Sequence, residues 1–418
     1  MTNGTMEMPI LPGQVQDQML VPDATMISNI PAVQMQSISA DEIALYDRQI
    51  RLWGVKAQEL IRNANILLIG IRALGNEIAK NLVLAGVGGL TILDHENVIE
   101  EDLGSQFLIT EEDVGKNRAE AAAVELRKMN PRVNIVTDSE NIAQKMPFYF
   151  SMFNVVIATG QPFEMAQMIN MACRESAVKF YAADLHGVYG YVFSDLLMHQ
   201  YVIEKEQSNI PTKPNTIETT TRMVVAVETK KEGDKIKEIV TKQEMYCPLM
   251  LANSSPLPAE ATKSRRAKMR VPPLISCLRG LFEFQKQHQR YPGGNSQDLA
   301  TYTKLTNEKH LELQLPHETL TPTVFRTFLQ NLGTEIPPTA AFLGGQVAQD
   351  VINVLGMREQ PLQNLLLFDG DDFKCPIYSM QPVFDPTLTL DNTMDNGMPP
   401  ESNGMSSMHG NGAVQEVA

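Results

Sequence analysis

Short apolar runs and segments with helical periodicity alternate through the first half of this chain. Residues 66–69 form a continuous apolar run that ends at Gly70, which is typical of a strand buried on both faces of a parallel sheet. Apolar residues then recur at helical spacing over 74–85, and Gly86 is placed to end that helix. A second apolar run at 90–94 completes a predicted strand–helix–strand unit of about 30 residues.

The same alternation continues to about residue 189. The pattern predicts helices over 117–129 and 163–176, and strands over 133–137, 155–158 and 178–182. Strands that alternate with helices in this way indicate an α/β fold. We expect a Rossmann-like, doubly wound sheet that is mostly parallel.

Beyond that point the pattern changes to short antiparallel strands separated by polar loops, and then to helices. The predicted strands cover 189–193, 201–204, 223–227 and 236–240, and the mainly helical stretch covers 259–335. A long apolar helix over 339–355, closed by Gly356, and a strand over 365–368 follow. Near the start of the chain, 43–53 is predicted to be helical, with Ser39 and Asp41 as candidate caps.

These changes of pattern divide the chain into five parts. The two ends, 1–38 and 381–418, lack periodicity and are rich in Met, Asn, Gly, Pro and small residues, so we predict disordered tails. We predict that a Rossmann-like domain begins over 39–200, is interrupted by an insertion over 201–335, and returns over 336–380.

Charge and cysteine content exclude several classes of protein. The formal net charge is −14, but residues 1–38 carry three acids and no base, and the stretch after Lys374 carries five acids and no base. The middle is thus only mildly acidic, and we expect neither a broad nucleic-acid surface nor a membrane span. The four cysteines form no C-x-x-C pair, so we predict a soluble, intracellular protein without a structural metal site.

The turn after the first strand resembles a dinucleotide-binding fingerprint in which one glycine is missing. It runs from Gly70 to Gly75, and Asp94 lies where an acid that binds ribose is expected. Arg72 stands at the middle glycine, where a side chain obstructs the close approach of a phosphate. A nucleotide-type turn that holds no ligand and a turn that still binds a nucleotide both remain open from these residues alone.

Several separated motifs resemble, in order, those of the ubiquitin-activating enzyme family. They are YDRQIRLWG (46–54), the turn at 70–77, LVLAGVGGLTILD (82–94), QFL (106–108), GKNRAEAA (115–122), FLGGQVAQDVINVL (342–355) and LLLFDG (365–370). The resemblance covers most of residues 40–380. It implies an adenylation domain of the ThiF/MoeB type, which uses ATP to activate the C-terminus of a ubiquitin-like modifier.

Measured against that family, most of the positions that contact a nucleotide are altered. Arg72-Ala73 replaces the inner glycines, Gly104-Ser105 replaces an Asn-Arg pair, Arg118 replaces a lysine, and an aspartate is missing at about Gly160, while Asp94 is retained. The resemblance therefore implies no cofactor in this chain, and it implies that ATP and Mg²⁺ are bound by a larger, homologous partner subunit.

Arg48 is the residue to which the resemblance gives a catalytic role. It matches the family's first arginine in YDRQ, which reaches across a dimer into the partner's ATP site. A guanidinium is planar and permanently charged, and it suits a phosphate. The alternative interpretation is that Arg48 pairs with a nearby acid on a helix surface.

Within the family, the overall length and YDRQIRLWG fit the smaller subunit of the heterodimer that activates the modifier SUMO. A neddylation-type subunit, a self-sufficient adenylating homodimer, an NAD-dependent oxidoreductase and a scaffold without a catalytic contribution remain alternatives. None of the four cysteines, Cys173, Cys247, Cys277 and Cys375, has a setting that favours a thiolate. We therefore expect the partner to form the thioester with the modifier.

Two further features carry weaker expectations. The basic run made of Lys263, Arg265, Arg266, Lys268 and Arg270 is a nuclear import signal, a contact for an acidic surface or a solvated helix face. With the resemblance, it leads us to expect a nuclear protein, with the cytoplasm as a further location. His186 and His199 lack a metal-like spacing, and we assign them no chemistry.

Overall fold

The computed structural model describes residues 38–233 and 235–382, and two β-sheets organise them. The predicted tails lie outside these residues, apart from positions 38, 381 and 382. The strands are β1 Asn65–Ile69, β2 Gly89–Leu93, β3 Asn134–Asp138, β4 Val155–Thr159, β5 Lys179–His186, β6 Tyr189–Asp195, β7 Met198–Glu206, β8 Thr216–Ile217, β9 Arg222–Glu232, β10 Lys235–Met245, β11 Leu365–Asp369 and β12 Ile377–Tyr378.

Helices cover both faces of the larger sheet and make up most of residues 249–356. They are α1 Ala40–Leu45, α2 Asp47–Trp53, α3 Val55–Arg62, α4 Ala73–Ala85, α5 Arg118–Met129, α6 Phe163–Glu175, α7 Leu249–Ser254, α8 Ala259–Thr262, α9 Arg265–Lys268, α10 Leu274–His288, α11 Ser296–Glu312, α12 Pro322–Asn331 and α13 Pro337–Gly356. Short 3₁₀ turns cover Glu100–Gly104, Glu111–Asp113, Ile142–Gln144, Pro147–Met152 and His317–Thr319.

The larger sheet has eight strands in the order β12-β11-β6-β5-β4-β1-β2-β3. Strands β1 to β5 are parallel, while β6, β11 and β12 pair antiparallel at one side. The predicted mostly parallel α/β sheet is confirmed. The strand order reverses between β1 and β4, and a doubly wound sheet binds its ligands at the carboxyl ends of the strands at such a point.

Two hydrophobic cores flank this sheet and explain the continuous apolar runs. Successive strand residues point to opposite faces, so Leu68 of β1 joins a core with α4, α5 and α13. Its neighbours Leu67 and Ile69 join a second core with α6 and α10. A strand buried on both faces therefore needs apolar residues at every position.

Helix ends follow local chemistry, with one correction to the sequence prediction. Ser39 caps α1 in a capping box with Glu42, and Gly86 ends α4 in the left-handed region at φ +79°. Gly356, which we predicted to close the last long helix, is instead its final helical residue. Met357 takes the left-handed position at φ +54°, because the chain turns one residue later to meet β7.

The smaller sheet is antiparallel, in the order β7-β10-β9-β8. The predicted strands at 223–227 and 236–240 lie in the first halves of β9 and β10, which have 11 residues each. The remaining residues, 228–232 and 241–245, are mostly polar, so the apolar signal stops there although the pairing continues. Backbone hydrogen bonds do not require apolar side chains, and the sequence pattern therefore underestimates the length of this hairpin.

Candidate functional site

The glycine turn between β1 and α4 lies at the carboxyl edge of the parallel strands. Gly70 has a φ of +86°, and a Cβ there would lie 2.6 Å from the carbonyl oxygen of Thr159. A Cβ on Gly75 would lie 2.3 Å from the carbonyl oxygen of Gly70. Both positions therefore require glycine, and the turn keeps a nucleotide-type backbone.

A carboxylate of the chain itself lies at the N-terminus of α4. Glu335 comes from the segment before α13, and its Oε2 accepts a hydrogen bond from the backbone N–H of Ala73 at 3.2 Å. The hydroxyl of Ser105 donates to the same oxygen at 3.4 Å. The Nε of Arg72 lies 3.7 Å away. In nucleotide-binding folds this position, at the start of the helix, holds a phosphate.

Asp94 is held inside the protein by Arg118. Its Oδ2 accepts from the N–H of Ile71 at 3.0 Å, and its Oδ1 accepts from the N–H of Glu96. The Arg118 guanidinium is 3% exposed and contacts Asp94 and Asp102 at 3.1 Å each. Both oxygens of Asp94 are thus already bonded, and the side chain is 5% exposed. The retained aspartate is committed to this ion-pair cluster.

Asp184, at the end of β5, adds a further acid to the same edge of the sheet. A Cβ on Gly160 would lie 3.8 Å from its Oδ1, and that oxygen accepts from the N–H of Leu185. Burial raises the pKa of the Asp184 carboxyl to about 7 and raises that of Glu335 above its usual range. Neither carboxylate is fully compensated by a cation, since Arg72 is shared and 44% exposed.

The residues present do not fit a nucleoside triphosphate. Four acids, Asp94, Asp102, Asp184 and Glu335, surround the turn, and the guanidinium of Arg118 is already shared by two of them. A triphosphate would meet like charges at short range, and it would have to displace Glu335. Within residues 38–233 and 235–382, no three or more His, Cys, Asp or Glu side chains are grouped so that they could hold a metal ion.

Arg48 lies on α2, which buries none of its residues. Its neighbours Asp47 and Arg51 pair with each other at 3.0 Å. Arg48 is exposed and has no hydrogen-bond or ion-pair partner in the part of the chain that the structure describes. The alternative that Arg48 pairs with a nearby acid on a helix surface is therefore not supported by the structure.

Although α2 is exposed, hydrogen bonds to neighbouring segments hold it in place. The hydroxyl of Tyr46, just before it, accepts from Asn130 at 2.9 Å, and Gln49 donates to the carbonyl of Leu84 at 3.2 Å. At the other end, the carbonyl of Trp53 accepts from Arg358 at 2.9 Å. Leu52 remains 76% exposed. The helix thus presents Arg48 and an apolar side chain outward from a fixed base.

The four cysteines lie in settings that oppose ionisation. Cys173 and Cys277 are 0% exposed and Cys247 is 6% exposed. Burial raises the pKa of the Cys247 and Cys277 thiols to about 12, and it raises those of Cys173 and Cys375 as well. A thiolate nucleophile needs the opposite shift. None of the four has the environment of a cysteine that forms a thioester.

Neither histidine belongs to a group of side chains that could hold a metal ion in the described part of the chain. The basic run lies in and around α9. His186 is buried and its Nδ1 accepts from the N–H of Gly333 at 3.3 Å, while His199 is buried in β7. Burial lowers the pKa of His186 to about 4. In the basic run, Arg265 pairs with Glu318, and Arg266 is exposed.

Sequence reasoning did not identify three of the acids that decide this site, Asp102, Asp184 and Glu335. Glu335 lies 262 residues from Ala73, whose N–H it accepts. No local pattern marks it, since it stands in a short connection before a proline-initiated helix. The departures at Arg72-Ala73 and Gly104-Ser105 pointed to a changed site but did not identify these acids.

The chain matches the ThiF family over residues 46–385. It is 36% identical to the DNA damage tolerance protein RHC31 of Saccharomyces cerevisiae, over 83% of this chain and 99% of the yeast protein. SUMO-activating enzyme subunit 1 of Xenopus laevis is 35% identical, over 80% of this chain and 94% of that protein. The Homo sapiens protein of the same name is 34% identical, over 80% and 93%. The similarity therefore extends across both sheets and the helical segment between them.

Proposed function

We propose, on the premise that this chain belongs to the ThiF family, that it is the non-catalytic subunit of a heterodimeric SUMO-activating enzyme. Relatives named SUMO-activating enzyme subunit 1, similar over nearly their full length, support this assignment. The partner is a larger, homologous subunit. That partner binds ATP and Mg²⁺, adenylates the C-terminal glycine of SUMO, and forms the thioester with its own cysteine.

The observation that carries the proposal is the contrast between Arg48 and the glycine turn. Acids surround this chain's own turn, and its four thiols are held in their protonated form by burial. By contrast, Arg48 is exposed, permanently charged and uncommitted among the described residues. An arginine of this kind is suited to a phosphate on another chain.

In this role Arg48 reaches across a pseudo-two-fold dimer interface and contacts the phosphates at the partner's ATP site. Its guanidinium neutralises charge that develops as the modifier carboxylate attacks the α-phosphate. Leu52 and the rest of the exposed face of α2 pack against the partner, which removes this apolar surface from water. The guanidinium is then held in a drier environment, where its charge acts more strongly.

The test is ATP–pyrophosphate exchange by the purified heterodimer carrying Arg48→Ala. Loss of one preorganised charge at a reacting phosphate reduces the rate by about 100-fold or more. We therefore expect exchange to fall by about that factor while the heterodimer stays intact in size-exclusion chromatography. Arg48→Lys keeps the charge without the planar fork, and we expect an intermediate rate.

Arg51→Ala is the matched control, because Arg51 lies on the same helix and is engaged by Asp47. This variant should exchange pyrophosphate at the wild-type rate. Normal exchange by an intact Arg48→Ala heterodimer would show that this arginine does not act in trans and would favour a scaffold role.

Isothermal titration of the lone chain with MgATP separates the proposal from a self-sufficient homodimer. We expect no heat of binding, whereas an adenylating homodimer would bind ATP and exchange pyrophosphate without a partner.

The nuclear location is a separate proposal that rests on the exposed basic run of residues 263–270. Arg266 and Arg270 are exposed and have no side-chain partner in the part of the chain that the structure describes. A fluorescent fusion carrying Arg266→Ala and Arg270→Ala should shift towards the cytoplasm. An unchanged distribution would assign the run to an ordinary solvated helix face.

A further inference from the structure

Three of the positions where this chain departs from its family's nucleotide contacts converge on one oxygen. Arg72, Ala73 and Ser105 all stand at altered positions, and all three contact Oε2 of Glu335. The contacts are a backbone N–H, a hydroxyl and a guanidinium, which together form the donor set of an oxyanion site. Glu335 supplies the anion.

We propose that Glu335 is a built-in anion that occupies the phosphate position at the start of α4 and keeps this subunit free of nucleotide. The site is then a latent oxyanion site whose occupant belongs to the chain itself. The Glu335 carboxylate thus blocks the nucleotide directly, in addition to the loss of phosphate-binding groups. This inference concerns the lone chain and does not depend on which modifier the heterodimer serves.

The segment that carries Glu335 is pinned on the side away from α4. The carbonyl of Thr334 accepts from the N–H of Gly187 at 2.8 Å, and the N–H of Gly333 donates to His186 at 3.3 Å. On the other side, α13 begins at Pro337. The backbone therefore holds the carboxylate at the turn, and its side chain is only 15% exposed.

An internal anion held this way has an advantage over a dissolved one. A phosphate loses translational freedom when it binds, whereas Glu335 is already confined by the fold. Incoming phosphate would also meet the carboxylates of Asp102 and Asp184, which lie around the same turn. Removal of Glu335 leaves the N–H of Ala73 and the hydroxyl of Ser105 without this acceptor, leaves Arg72 with Asp102 at 4.0 Å, and opens the space that the carboxylate filled.

The experiment uses inorganic pyrophosphate as the probe and the full chain as the protein. Glu335→Ala removes the carboxylate and its volume, so we expect pyrophosphate at about ten times its dissociation constant to raise the melting temperature of this variant by about 2 °C. Wild-type protein should not respond. Glu335→Gln keeps the volume and should also not respond, because its amide still fills the site.

Two controls make the result specific to this turn. Glu318→Ala removes an acid that also pairs with an arginine, but on the exposed surface, and it should show no response to pyrophosphate. Arg72→Ala placed in the Glu335→Ala background should abolish the response, because Arg72 is the one cation among the three donors. Sodium chloride at equal ionic strength corrects for screening.

The phosphorus NMR line width of pyrophosphate gives a second readout, which should broaden only with Glu335→Ala. If that variant does not fold, Glu335→Ser replaces it, since a serine hydroxyl can cap α4. A folded Glu335→Ala protein that ignores pyrophosphate, or a wild-type protein that binds it at this turn, would overturn the proposal. The Arg48 experiment measures exchange by the heterodimer, so the two proposals can fail separately.

Discussion

Arg118 offers the strongest test of the electrostatic account of the glycine turn. Its guanidinium is 3% exposed and is shared by Asp94 and Asp102, which are 5% and 1% exposed. A third partner, Glu96, is half exposed and adds little. Arg118→Met keeps much of the volume but leaves buried Asp94 without its guanidinium partner and leaves buried Asp102 with Arg72 at 4.0 Å. Removing one partner of a buried ionic network costs about 3–5 kcal/mol.

The assay is thermal and urea unfolding, followed by circular dichroism and by the fluorescence of Trp53, the single tryptophan. For a chain of this size, that loss corresponds to a fall in melting temperature of roughly 4–7 °C. Arg51→Met is the control, since its pair with Asp47 is 78% and 49% exposed and is worth about 0.3–0.5 kcal/mol.

A second substitution tests the cause of the loss. Asp102→Asn in the Arg118→Met background removes one of the two carboxylates that have lost the Arg118 guanidinium, and it keeps an acceptor for the N–H of Ile99. We expect the double variant to regain about 1–3 kcal/mol over the single variant. Equal losses for Arg118→Met and Arg51→Met, or a double variant that is no more stable than Arg118→Met, would refute the reasoning.

Two further predictions concern the same edge of the sheet and the contact between Gly86 and Tyr46, the residue before α2. Burial raises the folded-state pKa of Asp184 to about 7 from an ordinary value of 3.8, so this group lowers stability progressively as pH rises from about 4 to 7. Asp184→Asn should match wild type near pH 4 and exceed it by about 2–4 kcal/mol above pH 7; a difference that does not vary with pH in urea titrations would contradict this. Gly86→Ala combines a φ of +79° with a Cβ 2.5 Å from the Tyr46 ring and should cost about 2 kcal/mol or more; a melting temperature within 1–2 °C of wild type, a shift expected of less than about 1 kcal/mol, would show that this contact relaxes freely.

The local elements of this protein were readable from its sequence because their causes are local. The apolar run at 66–69, the glycines at 70 and 75 and the helical spacing to Ala85 predicted β1 and α4, with Gly86 as the stop. Sterics within a turn and the side-chain period of a strand or helix depend on neighbours a few residues apart. The same causes predicted the parallel sheet and the altered glycine turn.

Elements without a distinct side-chain period were harder to predict. The sequence did not indicate that β9 and β10 extend to 11 residues each, because residues 228–232 and 241–245 are mostly polar and lack an apolar face while the backbone pairing continues. It also merged α1 and α2 into one helix over 43–53, and it indicated neither α3 nor β12, a two-residue edge strand.

The sequence alone showed that the turn lacks its central glycine, and its family resemblance predicted a role for Arg48, which precedes the turn. Only the tertiary structure decided which partners these residues meet. It brought Glu335 from 262 residues away to the N–H of Ala73, paired Arg118 with Asp94 and Asp102, and left Arg48 on an unburied helix without an ion-pair partner among the described residues. Which charges meet depends on where distant connections return to the sheet, and no pattern of neighbouring residues records that.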